Sequence, residues 1–319
     1  MMENRAGSGL LQFLPESAET MRILVVNATE LLPAIAEKLP QAELWVVEEA
    51  AEKMAAFDLP EADLRWYSFD FTAEALPFAA ERFDYILADR CLEQMRNPQD
   101  FAFALFFWLK ETGHLLTSFT NVRHWSILQE LMQGHFRGNV CHFFALPEIE
   151  QLLQLSFYKK TAFVPIMDAA PPGLIEKLED CGFCNPDGDL RTKIWLVQAS
   201  RSNDKTAFLK RSFSKSVRAE LACRLRRIAY DVEREGNCRA FWEFCDGQQI
   251  PFPYIAAFVE NTAVEPWGLL MILVLWAAEH GRQQAAEALL EEGALLCRPS
   301  AKALFYLRQQ LGGKENERR

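Results

Sequence analysis

The chain has 319 residues, of which 50% are hydrophobic, 24% charged and 12% aromatic. This composition excludes a disordered, collagen-like or low-complexity protein, and at about 150 residues a domain the length predicts two domains. The 34 Lys and Arg against 44 Asp and Glu give a formal net charge of −10. Such a charge disfavours nucleic acid and anionic membranes as partners.

The eight cysteines follow no repeating spacing, and one close pair is formed by Cys181 and Cys184. That pair fits half of a zinc site, a redox pair or two reduced thiols, and no second pair or nearby His favours the zinc site. We therefore expect reduced thiols, no metal and a cytoplasmic location. No apolar run reaches the roughly 18–20 residues that span a bilayer. Residues 1–20 carry only the short run LLQFL and are predicted to be a tail.

Strand and helix patterns alternate from residue 21 to residue 200. The predicted strands are buried apolar runs, at 22–27, 43–48, 63–69, 83–88, 113–119, 157–167 and 193–200. The predicted helices lie at 30–40, 50–57, 98–110 and 146–155, with Pro33 in the first turn of the first helix and Asn97 as the cap before Pro98 of the third. This alternation predicts an α/β fold with a doubly wound, mostly parallel sheet. Such sheets bind ligands beyond the carboxyl ends of their strands.

The character of the sequence changes after Ser200. Residues 201–312 have almost no strand pattern and predict a smaller all-α domain, followed by a tail over 313–319. The segment 205–227 holds eight Lys and Arg against one Glu, which is typical of a solvated helix face or linker and also compatible with an anion-binding patch. Residues 267–281 and 282–296 predict an antiparallel helix pair broken at Gly281, with a further helix at 301–311.

Several short motifs between residues 83 and 149 occur in an order that resembles the class I S-adenosylmethionine-dependent methyltransferases, in particular their surface-polysaccharide-associated branch. The matching residues are Phe83-Asp84, Leu92-Glu93, Pro98, Leu109-Lys110, Gly113, Asn121-Val122, His124, Ser126, Phe143-Phe144 and Glu148-Ile149. The resemblance covers about residues 21–200. It implies a seven-stranded Rossmann-like sheet, S-adenosylmethionine as cofactor, and a small-molecule or glycan-type acceptor.

The resemblance places the cofactor loop directly after the first predicted strand, where the family has GxGxG. Here that loop reads Asn27-Ala28-Thr29-Glu30-Leu31, so all three glycine positions carry side chains. A non-glycine residue in the left-handed conformation costs about 1–2 kcal/mol, and Glu30 adds negative charge where the family binds the cofactor's carboxylate. The loop is therefore degenerate, although Asn27, Ala28 and Thr29 are the positions at which the resemblance implies cofactor contacts.

The resemblance implies three acidic contacts to the cofactor, each with a plainer alternative. Glu48 stands where the family has an acid that accepts both ribose hydroxyls, or it is an exposed residue that opens a helix. Asp70 stands at the adenine-flanking position, or it is a turn aspartate. Asp89 follows the fourth predicted strand, where the related branch often has Gly. Arg90 and Gln94 replace an acid and a His of that branch.

The acceptor side is implied to lie just beyond the fifth predicted strand, at Asn121, Arg123 and Trp125. His124 is the candidate general base, because its ordinary pKa of about 6.5 suits proton transfer near neutral pH. The alternative is a partly buried His that begins a helix beside Trp125. The segment 135–144 is shorter than the corresponding insertion of the related branch, so the acceptor pocket has a shorter wall.

The helical domain also has weak resemblances. Residues 225–245 resemble helical tails found behind methyltransferase or glycosyltransferase modules, and residues 270–299 resemble one tetratricopeptide-type helix pair, with Leu270, Leu273, Gly281, Ala286, Leu290 and Pro299. A single pair forms no solenoid, so a bundle that caps the first domain or pairs two subunits competes with a peptide-binding groove. The sequence leaves open an active methyltransferase, a non-catalytic module that binds a partner protein or glycan intermediate, and a sheet that binds another nucleotide.

Overall fold

The computed structural model describes residues 4–17, 19–49, 63–68, 78–135, 141–202, 204–300, 302–305 and 307. The predicted helix at 50–57, Asp70, and the predicted tail at 313–319 lie outside the described residues. The chain divides into two compact units, Met1–Asn203 and Asp204–Arg319. We call them the sheet unit and the helical unit.

The sheet unit alternates strands and helices. Its strands are β1 (Arg22–Val26), β2 (Glu43–Glu48), β3 (Asp63–Ser68), β4 (Phe83–Ala88), β5 (Leu109–Thr120), β6 (Lys160–Met167) and β7 (Thr192–Ser200). Its described helices are α1 (Asn4–Leu10), α2 (Leu32–Lys38), α3 (Pro98–Trp108), α4 (Trp125–Met132), α5 (Leu146–Leu155) and α6 (Leu174–Asp180). Asn97 caps α3 as predicted, since its side chain accepts from the Asp100 N–H at 3.2 Å.

The seven strands form one sheet in the order β3-β2-β1-β4-β5-β7-β6. Neighbours from β3 to β5 pair in parallel, and β7 is antiparallel to both β5 and β6. The predicted seven-stranded, mostly parallel, doubly wound sheet is thereby confirmed. The strand order reverses between β1 and β4, so the topological switch point lies there.

Both faces of the sheet are buried under helices. Along β1 the side chains alternate, with Ile23 and Val25 on one face and Leu24 and Val26 on the other. The first face packs with buried residues of α1 and α2, namely Leu10, Leu32 and Ile35. The second face packs with buried residues of α3 and α5, namely Ala102, Leu105, Ile149 and Leu153. Because residues 23–26 of β1 are apolar and buried on both faces, they fit a central strand of a sheet covered on both sides.

Residues from the short motifs between positions 83 and 149 hold the start of β5 against β4. Lys110 Nζ donates to both carboxylate oxygens of Asp84, at 2.8 and 2.7 Å, and the same carboxylate accepts from the Arg22 N–H at 2.9 Å. A Cβ on Gly113 would lie 2.9 Å from the Phe83 carbonyl oxygen. These contacts explain why β5 begins at Leu109, ahead of the predicted start at residue 113.

Residues 9–14, which belong to the stretch that the sequence predicts to be a tail, pack against the sheet. After α1 a 3₁₀ turn runs over Leu11–Phe13, and Leu10 and Leu14 are 0% and 3% exposed. A Cβ on Gly9 would lie 2.7 Å from Leu196 Cδ1 on β7. The run LLQFL is too short for a periodic helix signal, yet its leucines cover one face of the sheet.

Strand β6 begins at Lys160 and not at residue 157, because α5 ends in a tight turn. Phe157 adopts φ +70°, its N–H donates to the Gln154 carbonyl at 3.0 Å, and the Tyr158 N–H donates to the Leu153 carbonyl at 3.1 Å. This pattern is the Schellman ending that usually has glycine in the left-handed position. Helix α4 begins directly after His124, as the alternative interpretation of that residue expects, whereas α6 was not predicted as an element.

The helical unit contains α7 (Asp204–Ser212), α8 (Lys215–Ala229), α9 (Arg234–Gly247), α10 (Phe252–Thr262), α11 (Pro266–Glu279) and α12 (Gln283–Cys297). The predicted helix pair is confirmed in α11 and α12, and Gly281 between them has φ +80°. Leu270 and Leu273 of α11 and Ala286 of α12 are buried in one core. The predicted basic segment forms α7 and most of α8.

All eight cysteines are free, and both Cys181 and Cys184 are exposed. Within the described residues no helix is long and apolar enough to cross a membrane; α11, the most apolar of them, has 14 residues against the roughly 20 that a span requires.

Gly113→Ala is expected to lower the free energy of unfolding by about 1–3 kcal/mol. The added methyl group would lie 2.9 and 3.1 Å from backbone oxygens of β4, which cannot move aside as the Leu109 methyl group at 3.0 Å can. Gly236→Ala on α9 is the matched control. Nothing lies within 4 Å of a Cβ there, and Ala is favoured over Gly inside a helix by about 1 kcal/mol. Urea unfolding followed by circular dichroism measures both, and an unchanged Gly113→Ala protein would contradict the close approach.

Candidate functional site

The switch point is flanked by the loop after β1, residues 27–31, and by Asp89 and Arg90 after β4. We call the space between these residues the switch-point crevice. Asn27 adopts φ 48°, in the left-handed region. Its N–H donates to the Val47 carbonyl at 2.9 Å, and its Oδ1 accepts from the Glu49 N–H at 3.1 Å. Asn tolerates this conformation better than most residues, so Asn27 makes the turn of the first glycine and ties the loop to the end of β2.

The other two loop positions at which the resembled family has glycine are not left-handed. Thr29 and Leu31 belong to a 3₁₀ turn, and both are 3% exposed. The expected backbone cost of about 1–2 kcal/mol therefore does not apply to either residue, which corrects the sequence analysis. Ala28 is fully buried, and with Leu31 it joins the core on the face covered by α1 and α2.

Two acids stand at the carboxyl ends of β2 and β4. Glu48 is 2% exposed, so it is not the exposed helix-opening residue of the alternative interpretation. The Asp89 side chain is 5% exposed and lies 3.9 Å from Arg90 Nε, and it accepts a hydrogen bond from the Ser118 hydroxyl of β5. The buried acids make this end of the sheet negative.

The negative charge of the crevice shows in the neighbouring thiol. Burial raises the pKa of Cys91, and the carboxylates of Glu49, Asp89 and Glu48 raise it further. Carboxylates that disfavour one more anion also disfavour an anionic ligand, while they favour a cation or a donor of hydrogen bonds. Cys91 itself stays a protonated thiol and has no nucleophilic character at neutral pH.

Glu93 is a buried acid to which the sequence analysis gave no role. It is 2% exposed, Oε2 accepts from the Thr120 N–H at 2.8 Å and Oε1 from the Thr120 hydroxyl at 3.1 Å. Its carbonyl accepts from the N–H groups of Cys141 and His142. Glu93 thus ties the turn after β4 to the end of β5. Its only sequence signal was its place in the Leu92-Glu93 motif.

The acceptor-side residues Asn121 and Arg123 are held by Asp189, which the sequence analysis did not single out. Asn121 is fully buried, and its Nδ2 donates to the Asp189 carbonyl and to Oδ1, both at 2.9 Å. Arg123 donates to the Asp189 carboxylate and to the Cys184 carbonyl. These bonds join the end of β5 to the 3₁₀ segment Pro186–Arg191.

His124 precedes α4 and is 1% exposed. Nδ1 shares a hydrogen bond of 2.8 Å with the Ser126 hydroxyl, and within the described residues Nε2 is buried with no hydrogen-bond partner. Burial lowers the pKa of His124 to about 4, with Asp168 raising it and Lys193 lowering it by smaller amounts. His124 is therefore a neutral ring at physiological pH, 5.1 Å from the Trp125 ring between centroids.

The structure arranges the sequence-predicted site residues in two groups. Asn27, Ala28, Thr29, Glu48 and Asp89 surround the crevice, and Asn121, Arg123, His124 and Trp125 follow β5. The two groups are connected through β5, because Ser118 binds Asp89 and Thr120 binds Glu93. Asp70 lies outside the described residues.

The sheet unit is a doubly wound sheet of the Rossmann-like type. No protein-family model matches the chain, and no curated protein matches it in sequence. A solved S-adenosylmethionine-dependent methyltransferase of Mesorhizobium loti is 16% identical, with 61% of this chain and 96% of that chain covered and a TM-score of 0.45.

Two further structures are similar at the same level. A Thermotoga maritima S-adenosylmethionine-dependent methyltransferase is 16% identical over 62% of this chain and 87% of that chain, with a TM-score of 0.43. A chain from a Haloferax volcanii complex of the Trm112 methyltransferase activator with a methyltransferase is 14% identical over 63% and 92%, with a TM-score of 0.45. Similarity at this level does not extend to activity, cofactor or partner.

Glu93→Gln is expected to leave the free energy of unfolding at neutral pH unchanged or raised. Glu93→Ala is expected to lower it by about 1–3 kcal/mol, because the Thr120 N–H is then buried without a hydrogen-bond acceptor. Burial raises the pKa of Glu93, and the Thr120 bonds oppose this. The folded state therefore holds the proton to higher pH than the unfolded one, and stability falls as the pH rises through that interval. In urea unfolding, the Gln variant should not show this dependence of the free energy of unfolding on pH. Glu150→Gln, an exposed change on α5, is the control that should keep it.

His124→Gln is expected to reduce the fall in the free energy of unfolding that the wild-type protein shows as the pH is lowered. The unfolded His binds a proton near pH 6.5 and the folded one only near 4, so the free energy of unfolding drops as the pH falls between these values. The loss is about 2 kcal/mol. Urea midpoints across this range measure it, and His142→Gln, at a partly exposed ring, should keep the wild-type slope. A His124→Gln profile parallel to wild type would contradict the buried neutral ring.

Proposed function

We propose that the sheet unit binds S-adenosylmethionine in the switch-point crevice and directs methyl transfer to a small-molecule or glycan-type acceptor. The single observation that carries the proposal is the geometry of Asn27. It adopts the left-handed turn of the first glycine and aligns the loop with the end of β2, beside the buried Glu48. The sequence resemblance of residues 21–200 supplies the cofactor class.

The hydrogen-bond acceptors of the crevice fit a cationic nucleoside with free hydroxyl groups. Glu48 can accept from two adjacent hydroxyls, and hydrogen bonds to a charged acceptor contribute about 1.5–3 kcal/mol. Asp89 is held by the Ser118 hydroxyl and adds negative charge that favours a cation. S-adenosylmethionine, when bound, supplies a methyl group on a positively charged sulfur. The same acids disfavour its carboxylate, for which backbone N–H groups of residues 28, 29 and 89 are the proposed partners, since the Asn27 N–H donates to the Val47 carbonyl.

The residues after β5 are proposed to position the acceptor. In-line displacement depends mainly on alignment, and the bonds of Asn121 and Arg123 to Asp189 make this loop rigid. Trp125 offers an aromatic surface beside it. His124 is proposed as the proton acceptor through Nε2; its lowered pKa makes it a weak base that is unprotonated at neutral pH.

Isothermal titration with S-adenosylhomocysteine and with S-adenosylmethionine tests this proposal. We expect a dissociation constant below about 1 mM, which corresponds to roughly 4 kcal/mol, and a loss of about tenfold or more in Glu48→Gln because a charged acceptor is removed. Glu37→Gln, an exposed change on α2, should bind like wild type. Absence of binding up to that concentration would end the proposal.

The alternative proposal is a non-catalytic module that binds a partner protein or a glycan intermediate, with the helical unit as a contact surface or a site of self-association. The burial of Thr29 and Leu31 favours it, since side chains fill positions that the family leaves open. Under this alternative the triple variant Asn27→Gly, Thr29→Gly and Leu31→Gly gains cofactor binding that the wild type lacks. Methylation of an acceptor by the wild-type protein in a cell extract would refute it.

A further inference from the structure

Ser126 lies in the first turn of α4, two residues after His124. The His124 carbonyl accepts from the N–H groups of Ile127 and Leu128 at 3.0 and 3.2 Å, so His124 is the N-cap of this helix. A Ser or Asp at the N-cap usually bonds to the helix backbone through its side chain, but the His124 ring makes no such bond. Its Nδ1 lies instead 2.8 Å from the Ser126 hydroxyl oxygen. The start of α4 therefore fixes the ring against this hydroxyl.

The His124 ring has two neutral forms to choose from. Burial lowers the pKa of His124 to about 4, so at neutral pH the ring carries a single proton, on Nδ1 or on Nε2. With the proton on Nδ1, that N–H donates to Ser126 Oγ and Nε2 is a bare acceptor. With the proton on Nε2, the Ser126 hydroxyl donates to Nδ1 and Nε2 is a donor. The bond to Ser126 exists in both forms, so the difference between them lies at Nε2.

The surroundings of Nε2 favour the form in which this nitrogen is bare. The His124 side chain is 1% exposed, and Nε2 has no hydrogen-bond partner among the residues that the structure describes. A buried N–H without an acceptor has lost its bond to water and gained nothing in return, and such donors are rare in folded proteins. Acceptors that lack part of their hydrogen bonds are somewhat more common. The proton therefore belongs on Nδ1, where Ser126 Oγ accepts it.

We propose that Ser126 is a positioning residue, which accepts a hydrogen bond from Nδ1–H of His124 and thereby keeps Nε2 available as a buried hydrogen-bond acceptor. A bare Nε2 pairs with a group that carries a hydrogen, such as a hydroxyl or an amine, and has nothing to offer a carboxylate. The class of acceptor that follows, a hydroxyl or an amine, rests on the proposed function, since it assumes that the acceptor binds beside His124. The position of the ring proton does not depend on that assumption.

Nuclear magnetic resonance of the full chain without ligand tests the position of the proton. Long-range ¹H–¹⁵N correlation spectra at neutral pH separate a protonated ring nitrogen from a bare one, and His124→Gln identifies the His124 signals. His142 is the internal reference, because its Nε2 lies 3.2 Å from the Arg96 carbonyl, which can only accept. We expect the opposite form at His124, with Nδ1–H favoured by about fivefold or more, the least that a buried unsatisfied N–H costs. A protonated Nε2 at His124 would overturn the proposal.

The role of Ser126 is tested by a matched pair of variants. In Ser126→Ala the Nδ1–H has no hydroxyl to donate to, so the two forms of the His124 ring should approach equal populations. Ser126→Thr keeps the hydroxyl and should keep the wild-type ratio. A purely structural role would change the urea midpoint of Ser126→Ala and leave this ratio as it is, and an unchanged ratio in that variant would refute the positioning role. The wild-type spectrum decides the proton position even if Ser126→Ala does not fold.

The class of acceptor is tested with S-adenosylmethionine that carries tritium in its methyl group, incubated with the protein and a deproteinised cell extract. Methyl ethers and methylamines survive treatment with base, whereas methyl esters release methanol. We expect labelled products that are stable to base, and release of labelled methanol would overturn the hydroxyl or amine acceptor.

The two measurements separate this inference from the proposed function. If no labelled product forms while Nδ1 of His124 carries the proton, the proposed function fails and the role of Ser126 stands. If a base-stable product forms while Nε2 carries the proton, the proposed function stands and the role of Ser126 fails.

Discussion

The sheet unit depends on the requirement that a parallel sheet be buried on both of its faces. After β1 the chain turns to α2 on one face, and after β4 it turns to α3 on the other. Two neighbouring strands whose connections leave in opposite directions necessarily open a gap between their carboxyl ends. The position of the crevice is thus set by how the faces are covered, before any functional residue is considered.

The gap is bordered both by charged groups and by apolar side chains. The carboxylates of Glu48 and Asp89 sit almost fully out of solvent, an arrangement that is costly unless a donor or cation is nearby. Meanwhile the Leu31 side chain, 3% exposed, belongs to the apolar core on the face covered by α1 and α2. The crevice therefore has buried carboxylates and a buried apolar side chain on its borders.

The sequence predicted the framework better than the site. Strands β2 and β4 and helix α5 have the predicted bounds, because buried β-branched runs and a clean helical period are local signals. The packing of α1 could not be predicted from LLQFL, since the sheet face that these leucines cover is assembled from distant strands. The loop sequence also does not show which of residues 27, 29 and 31 adopts the left-handed conformation. That depends on the bond between Asn27 and Glu49, 22 residues away.

Asp84 and Lys110 form an ion pair near the start of β4 and β5, and Gly113 packs closely against the β4 backbone there. This end of the sheet is opposite the crevice. These residues belong to the stretch by which the chain resembles a family of enzymes, yet what they secure is strand assembly. A protein with this fold that catalyses no reaction would still need these residues in order to fold. The resemblance in this stretch therefore concerns residues that stabilise the fold and says nothing about catalysis.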